Sequence, residues 1–221
     1  MPQSRTIAIG DIHGHAAALG GLLDLLAPQE HDQLVFLGDY IDHGPDSKRV
    51  IDCLLALQQA CQVVTLMGNH EEIALAALTR ASALQAWLEP GFGGQATLGS
   101  YGPEASIADL PPAHVAFLRG LHRFHETESH FFMHANYAPN WQLADHDSRT
   151  AMWLSLEDCP QPHYSGKVAI VGHTPQGDGR ILDLGYLKCI DTGCGYGGWL
   201  TALDVGSGQL WQVDEQGRKR C

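Results

Sequence analysis

Short apolar, β-branched runs recur along the chain, and each gives way to a glycine or to a side chain able to bind a metal. Thr6-Ile-Ala-Ile9 precedes Gly10, Leu34-Val-Phe-Leu37 precedes Gly38, and Val63-Val-Thr-Leu-Met67 precedes Gly68. Further on, Phe131-Phe-Met133 precedes His134, Val168-Ala-Ile-Val171 precedes Gly172, and Leu187-Lys-Cys-Ile190 precedes Asp191. Continuous runs of this length suit strands buried on both faces. Between the first three lie helical patterns, with Leu19, Leu22, Leu23 and Leu26 on one face and Val50, Leu54 and Leu57 on another. The order strand, helix, strand, helix, strand predicts a βαβαβ core with right-handed crossovers, an α/β protein. Side chains after the carboxyl ends of such strands converge on one rim.

The remaining pattern is thinner. An Ala- and Leu-rich stretch predicts a helix from Glu71 to about Trp87, and Glu89 to Gln95 reads as a loop. A helix from Pro111 to Leu121 starts on proline, which suits a first turn. Residues 199–205 and 209–213, separated by Gly206-Ser-Gly208, predict a terminal hairpin. No repeat or linker breaks the chain, so residues 1–221 are expected to form one domain. Residues 72–125 would be a helical insertion shaping a substrate groove.

Composition narrows the function classes. The 221 residues carry a net charge of −12 and no prominent basic patch, which argues against nucleic-acid or membrane-surface binding. Arg218-Lys-Arg220 reads as a solvated tail. No signal peptide opens the sequence and no apolar run reaches the roughly 20 residues of a membrane span, so a cytoplasmic protein is expected. The six cysteines lack Cys-x-x-Cys spacing and read as small buried hydrophobes. None has an Arg six residues later, as the cysteine-phosphatase chemistry requires.

The chemistry lies in the motifs after the apolar runs: Gly10-Asp-Ile-His-Gly14, Gly38-Asp-Tyr-Ile-Asp-His-Gly44, Gly68-Asn-His-Glu71, His134-Ala-Asn136 and Gly172-His-Thr174. Any one of them could be a turn or a helix cap, with Asn69 as an N-cap for example. Five in this order, each at a strand end, point instead to a site that holds two divalent ions. Asp11, His13, Asp39, Asn69, His134 and His173 are the candidate ligands. Asp11 and His13 can share one ion, Asp39 can bridge, and Asn69, His134 and His173 complete the second. Aspartate with neutral histidine suits Mn²⁺ best, with Fe or Zn²⁺ as alternatives, over a carboxylate cage for Mg²⁺ or Ca²⁺. Two ions roughly 3.5–4 Å apart lower the pKa of a shared water and clamp a phosphoryl group for in-line displacement. His70 is left to protonate the leaving alkoxide, with Asp42 fixing its tautomer.

Taken together these motifs, with Asp191-Thr-Gly-Cys-Gly-Tyr-Gly-Gly198 and Leu200-Thr-Ala-Leu-Asp204, resemble the calcineurin-like metallophosphoesterases of the PPP (phosphoprotein phosphatase) type. The resemblance runs from about residue 6 to 205. It implies a metallophosphatase β-sandwich flanked by helices. It also implies that Asp11, His13 and Asp39 hold a first metal, and that Asp39, Asn69, His134 and His173 hold a second. His70 would then be the general acid, paired with Asp42. Two departures stand out. His43 and Ser155 occupy positions where the family usually has phosphate-clamping arginines, and neither reproduces a bidentate clamp. His43, Asn136, Arg149 and Tyr196 are the candidate substrate contacts, with Arg180 and Arg49 as further cations. The expected substrate is a phosphomonoester, foremost phosphoserine or phosphothreonine in a protein. The alternatives are a small phosphoester or nucleotide phosphoanhydride, as for symmetric diadenosine tetraphosphate hydrolases, and a catalytically dead scaffold. A scaffold would be expected to lose ligands, and all six are present with His70.

Overall fold

The computed structural model describes residues 4–157 and 159–220. In chain order the strands and α-helices are β1 (Thr6–Ile9), α1 (Ala16–Leu26), β2 (Gln33–Phe36), α2 (Ser47–Ala60), β3 (Gln62–Thr65), α3 (Asn69–Ala77), α4 (Ala81–Trp87), α5 (Gly94–Tyr101), α6 (Pro112–Arg119), β4 (Phe124–Glu126), β5 (His130–Met133), β6 (Val168–Val171), β7 (Leu182–Asp183), β8 (Leu187–Cys189), β9 (Leu200–Asp204) and β10 (Leu210–Val213). They build two mixed sheets, ordered β10-β9-β1-β2-β3 and β4-β5-β6-β8-β7. Strands β1, β2 and β3 run parallel, as do β5, β6 and β8. The expected terminal hairpin forms as β9 and β10, with Leu203 opposite Leu210.

The apolar runs are continuous because each strand feeds two cores. In β1, Ile7 and Ile9 face the helices α1 and α2, while Ala8 faces the other sheet. In β2, Leu34 and Phe36 face the helices and Val35 faces inward. In the second sheet Phe131, Met133, Ala169 and Val171 point outward and Phe132 and Ile170 inward. The inner layer therefore joins Ala8, Val35, Leu37, Leu66 and Leu203 to Phe132, Ile170 and Ile190. Each large side chain fully buried there stabilises the sandwich by about 1.5–3 kcal/mol. Helices α1 and α2 cover the first sheet. The outer face of the second is covered by Tyr137, Leu143, Ala151, Met152 and Leu156, from a segment built of a short 3₁₀ turn and a five-residue π-helical turn, Arg149–Trp153.

Two helical expectations need correction. The helix expected over 71–87 is two helices, broken at Leu78–Arg80, where Arg80 adopts extended backbone (φ −127°, ψ 116°). The break turns α4 so that Trp87 is fully buried beneath the candidate site. No glycine or proline marks it, so only the Thr79 and Ser82 hydroxyls hinted at a boundary. The loop expected over Glu89–Gln95 ends early, because α5 begins at Gly94 despite its low helix propensity. No described helix is long and apolar enough to cross a membrane.

Candidate metal centre

All six strand-end motifs meet at one end of the sandwich, three from each sheet: after β1, β2 and β3, and after β5, β6 and β8. The backbone there is unusual. Of the six described non-glycine residues with positive φ, five are His13, Asp39, Asp42, His43 and His173. Such conformations cost of order 1–3 kcal/mol each and concentrate at functional sites. Glycines permit the approach of the loops: a Cβ at Gly68 would overlap Asp39 Oδ1, and one at Gly172 would overlap Asp11 Oδ1.

Glu71 holds two of the loops together. Its fully buried carboxylate accepts hydrogen bonds from the backbone N–H groups of Asp39 (2.9 Å), Tyr40 (2.8 Å), Ile41 (3.3 Å) and Gly68 (3.0 Å). Gly68, not Asn69, is the N-cap of α3. Asn69 is free to turn its Oδ1 toward His134 Nε2 at 3.1 Å and His173 Nδ1 at 3.0 Å.

The candidate ligands fit a pair of cations because electron-pair donors face one another. His134 Nδ1 donates to the Leu37 carbonyl at 2.8 Å, which turns Nε2 toward Asp39 Oδ2, 3.4 Å away; burial opposes protonation of His134, but Asp39 outweighs it and raises the imidazole. His13 Nδ1 faces the Ile41 carbonyl at 3.2 Å, and its Nε2 lies 3.7 Å from the same oxygen. His173 Nε2 donates to the Trp153 carbonyl at 3.1 Å, so its Nδ1 confronts Asn69 Oδ1 as an acceptor. A carbonyl behind each imidazole is the second shell that fixes ligating histidines. Asp11 Oδ1 and Asp191 Oδ2 are buried with no hydrogen-bond partner at all. Burial, with Asp191 and Asp39 nearby, pushes the Asp11 carboxyl well up. Burial opposes ionisation of Asp39 too, but His134 and His70 hold it well below the usual range. Burial lowers His13 to about 3, and burial with His134 lowers His173 to about 4, so both are neutral. Divalent ions between these groups would supply partners for the unpaired Asp11 Oδ1 and Asp191 Oδ2. Asp11, His13 and Asp39 form one group with ligand-competent atoms within 4.8 Å of one another, and Asp39, His134 and His173 form another.

Beside this group stands a buried dyad. His70 Nδ1 donates to Asp42 Oδ2 at 2.7 Å, and its Nε2 lies 4.0 Å from Asp39 Oδ2. Burial opposes protonation of His70, but Asp39 and Asp42 raise it to about 9. Asp42 is itself held by the Trp87 indole N–H (2.9 Å to Oδ2) and the Thr97 hydroxyl (2.6 Å to Oδ1). Trp87, Thr97, Glu71 and Asp191 were not among the residues expected to act in the site. Two of them carried a local signal: Glu71 as the acidic third residue of a helix, and Asp191 as the residue directly after an apolar run.

A cavity of about 120 Å³ opens over the centre, lined by His13, Asp39, Asn69, His70, His173, Pro175, Asp191 and Tyr196. No lysine or arginine lines it among the described residues. Of the expected substrate contacts, Tyr196 lines the cavity, and His43 Nε2 is 3.3 Å from its hydroxyl. Asn136 does not reach the cavity: its amide donates to the Ser155 carbonyl and accepts from Tyr137 N. Arg149, Arg49 and Arg180 are exposed and stand outside the lining. Three aromatic rings edge the mouth instead. Phe92 lies 4.5 Å from His70 and 6.0 Å from Trp153, and Trp153 and Tyr196 are 38% and 61% exposed.

The chain is 29% identical to serine/threonine-protein phosphatase 1 of Salmonella typhimurium, over 89% of this chain and 90% of that one. It is 31% identical to a symmetrical bis(5'-nucleosyl)-tetraphosphatase of Burkholderia pseudomallei over 64% of its length, and spans 45% of that protein. The fold matches that of a provisionally named diadenosine tetraphosphatase with a TM-score of 0.74 at 20% identity, covering 96% of this chain and 94% of the other. It also matches a cold-active protein tyrosine phosphatase of Shewanella with a TM-score of 0.65 at 19% identity, over 100% of this chain and 82% of that one. The calcineurin-like phosphoesterase family matches residues 4–199. With the sandwich and the paired donor groups in place, the chain belongs to the calcineurin-like phosphoesterases.

Proposed function

We propose that this phosphoesterase hydrolyses phosphomonoesters, with phosphoserine and phosphothreonine in proteins as the leading substrates. The observation that carries the reading is the convergence of His13 Nε2 and His134 Nε2 on Asp39 Oδ2, with His70 held beside them by Asp42. Asp11, His13 and Asp39 would hold one cation, and Asp39, Asn69, His134 and His173 the other, Mn²⁺ foremost. Bound there, the ions supply an activated water and neutralise phosphoryl charge. The chain's own part is proton management and orientation. Asp42 keeps the Nδ1 proton of His70 in place, so Nε2 carries the proton given to the leaving oxygen as the P–O bond breaks. Tyr196 and His43 stand at the mouth, where the phosphate enters. With no arginine in the lining, the dianion's charge falls to the cations.

The protein-phosphatase reading is supported by the Salmonella relative, which matches over nine-tenths of both chains. A second reading, dinucleoside polyphosphate hydrolysis, is favoured by the exposed Trp153 and Tyr196, flat faces on which nucleobases can stack. A screen of Mn²⁺-reconstituted protein against phosphoserine and phosphothreonine peptides, diadenosine tetraphosphate and an aryl phosphate separates them. Higher kcat/KM on the peptides is expected. Higher kcat/KM on the dinucleotide would replace the first reading by the second.

A further inference from the structure

His43 brings a third imidazole to the mouth of the centre. Its φ of +61° follows Asp42 at +73°, and these two left-handed residues turn its ring back over the site. The His43 ring lies 4.9 Å from His13 and 5.2 Å from His70, which are 4.8 Å from each other. One nitrogen from each ring falls within 4.8 Å of the other two. For His13 and His70 the available nitrogen is Nε2, since Nδ1 is engaged by the Ile41 carbonyl and by Asp42. His43 is held more loosely, with Nε2 3.3 Å from the Tyr196 hydroxyl, a contact that an ion can replace. Asp39 Oδ2 faces the same space, 3.7 Å from His13 Nε2 and 4.0 Å from His70 Nε2.

We propose that His13, His43 and His70, with Asp39, form a competing cation site that takes Zn²⁺-like ions and switches the enzyme off. The inference rests on the two-cation reading above and concerns regulation of the same centre. His13 Nε2 has one lone pair, so it serves either the ion shared with Asp11 and Asp39 or an ion shared with His43 and His70. The chemistry of the two places differs. The first offers one nitrogen and two carboxylates, which suits Mn²⁺. The second offers three nitrogens and one oxygen, a tetrahedral set that suits Zn²⁺. Small ring movements are enough to close it, because four ligands around one zinc stand closer than the present spacings. An ion there replaces the Nε2 proton of His70, which goes to solvent, so the leaving group loses its proton donor. An arginine at position 43 has no lone pair and could not complete the set.

The test titrates Zn²⁺ into Mn²⁺-loaded protein and into its His43→Gln and His43→Arg variants. Equilibrium dialysis counts both metals while the aryl phosphatase rate is followed relative to each variant's own starting rate. In the unaltered protein, one zinc should bind as one manganese leaves and the rate should collapse. In both variants, the zinc needed for half-displacement should rise at least about tenfold, since losing a direct donor costs no less than losing a group that only orients one. Equal zinc binding in all three proteins, or inhibition without loss of manganese, would overturn the inference. The dialysis counts need no turnover. Manganese that binds but supports no hydrolysis would sink the functional reading alone.

Discussion

At the scale of single residues, the order of the proposed site depends on groups remote in sequence. Asp42 is fully buried and receives His70 Nδ1, the Trp87 indole and the Thr97 hydroxyl. A hydrogen bond to a charged group is worth about 1.5–3 kcal/mol. Trp87→Phe keeps most of the apolar volume and removes the indole donor, so Asp42 should lose its fixed orientation. We expect kcat to fall roughly tenfold with KM nearly unchanged, and a larger fall for alkyl than for aryl phosphates, whose leaving groups need less protonation. Equal losses on both substrate types would reduce Trp87 to a packing residue. The candidate ligands could be read from the sequence because each follows an apolar run directly. Trp87 and Thr97 could not, because nothing local ties an indole on α4 or a hydroxyl on α5 to an aspartate 45 and 55 positions earlier.

At the scale of elements, the strands were legible and the helices after β3 were less so. Ile7, Ala8 and Ile9 are all buried because β1 feeds two cores, and that produces the unbroken apolar run seen in the sequence. The split of α3 from α4 was nearly hidden, since no glycine or proline marks Leu78-Thr-Arg80 and only the Thr79 and Ser82 hydroxyls hint at it. The pairing of two sheets into a sandwich was also invisible to periodicity and was expected only from the resemblance, and which strands join which sheet was not foreseen. The start of β1 is tied to the loop before β2 through Arg5 and Asp32. Asp32 accepts hydrogen bonds from Arg5 Nε at 3.1 Å and from Gln29 N at 2.8 Å. Burial would raise its carboxyl, but Arg5 and the backbone donors outweigh burial and hold it at about 2 instead of 3.8. Folding therefore favours the ionised form. The resulting stability, about 2 kcal/mol, is fully present above about pH 4 and lost as pH falls through 2. The stability gap between the native protein and Asp32→Asn, measured by urea unfolding, should shrink across that interval. A gap that stays constant with pH would rule the ion pair out as its source.

At the scale of the whole molecule, the centre sits where two sheets end together, so the contact between sheets sets its geometry. Three motifs come from each sheet, and the inner layer with Phe132 and Ile170 facing Val35 and Leu37 keeps them in register. Phe132→Ala should cost about 3–5 kcal/mol in denaturant unfolding. It should also weaken the cation shared between sheets, which needs Asp39 and Asn69 from one and His134 and His173 from the other. Unchanged manganese affinity in a destabilised Phe132→Ala protein would mean that the loops, not the sheet contact, fix the centre. These side chains are proposed to hold two divalent ions side by side, and anomalous diffraction at the manganese edge, from crystals of the Mn²⁺-reconstituted protein, would show the ions themselves. Two peaks are expected, one among Asp11, His13 and Asp39 and one among Asp39, Asn69, His134 and His173. A single peak, or ligation that leaves Asp39 unshared, would contradict the two-ion reading.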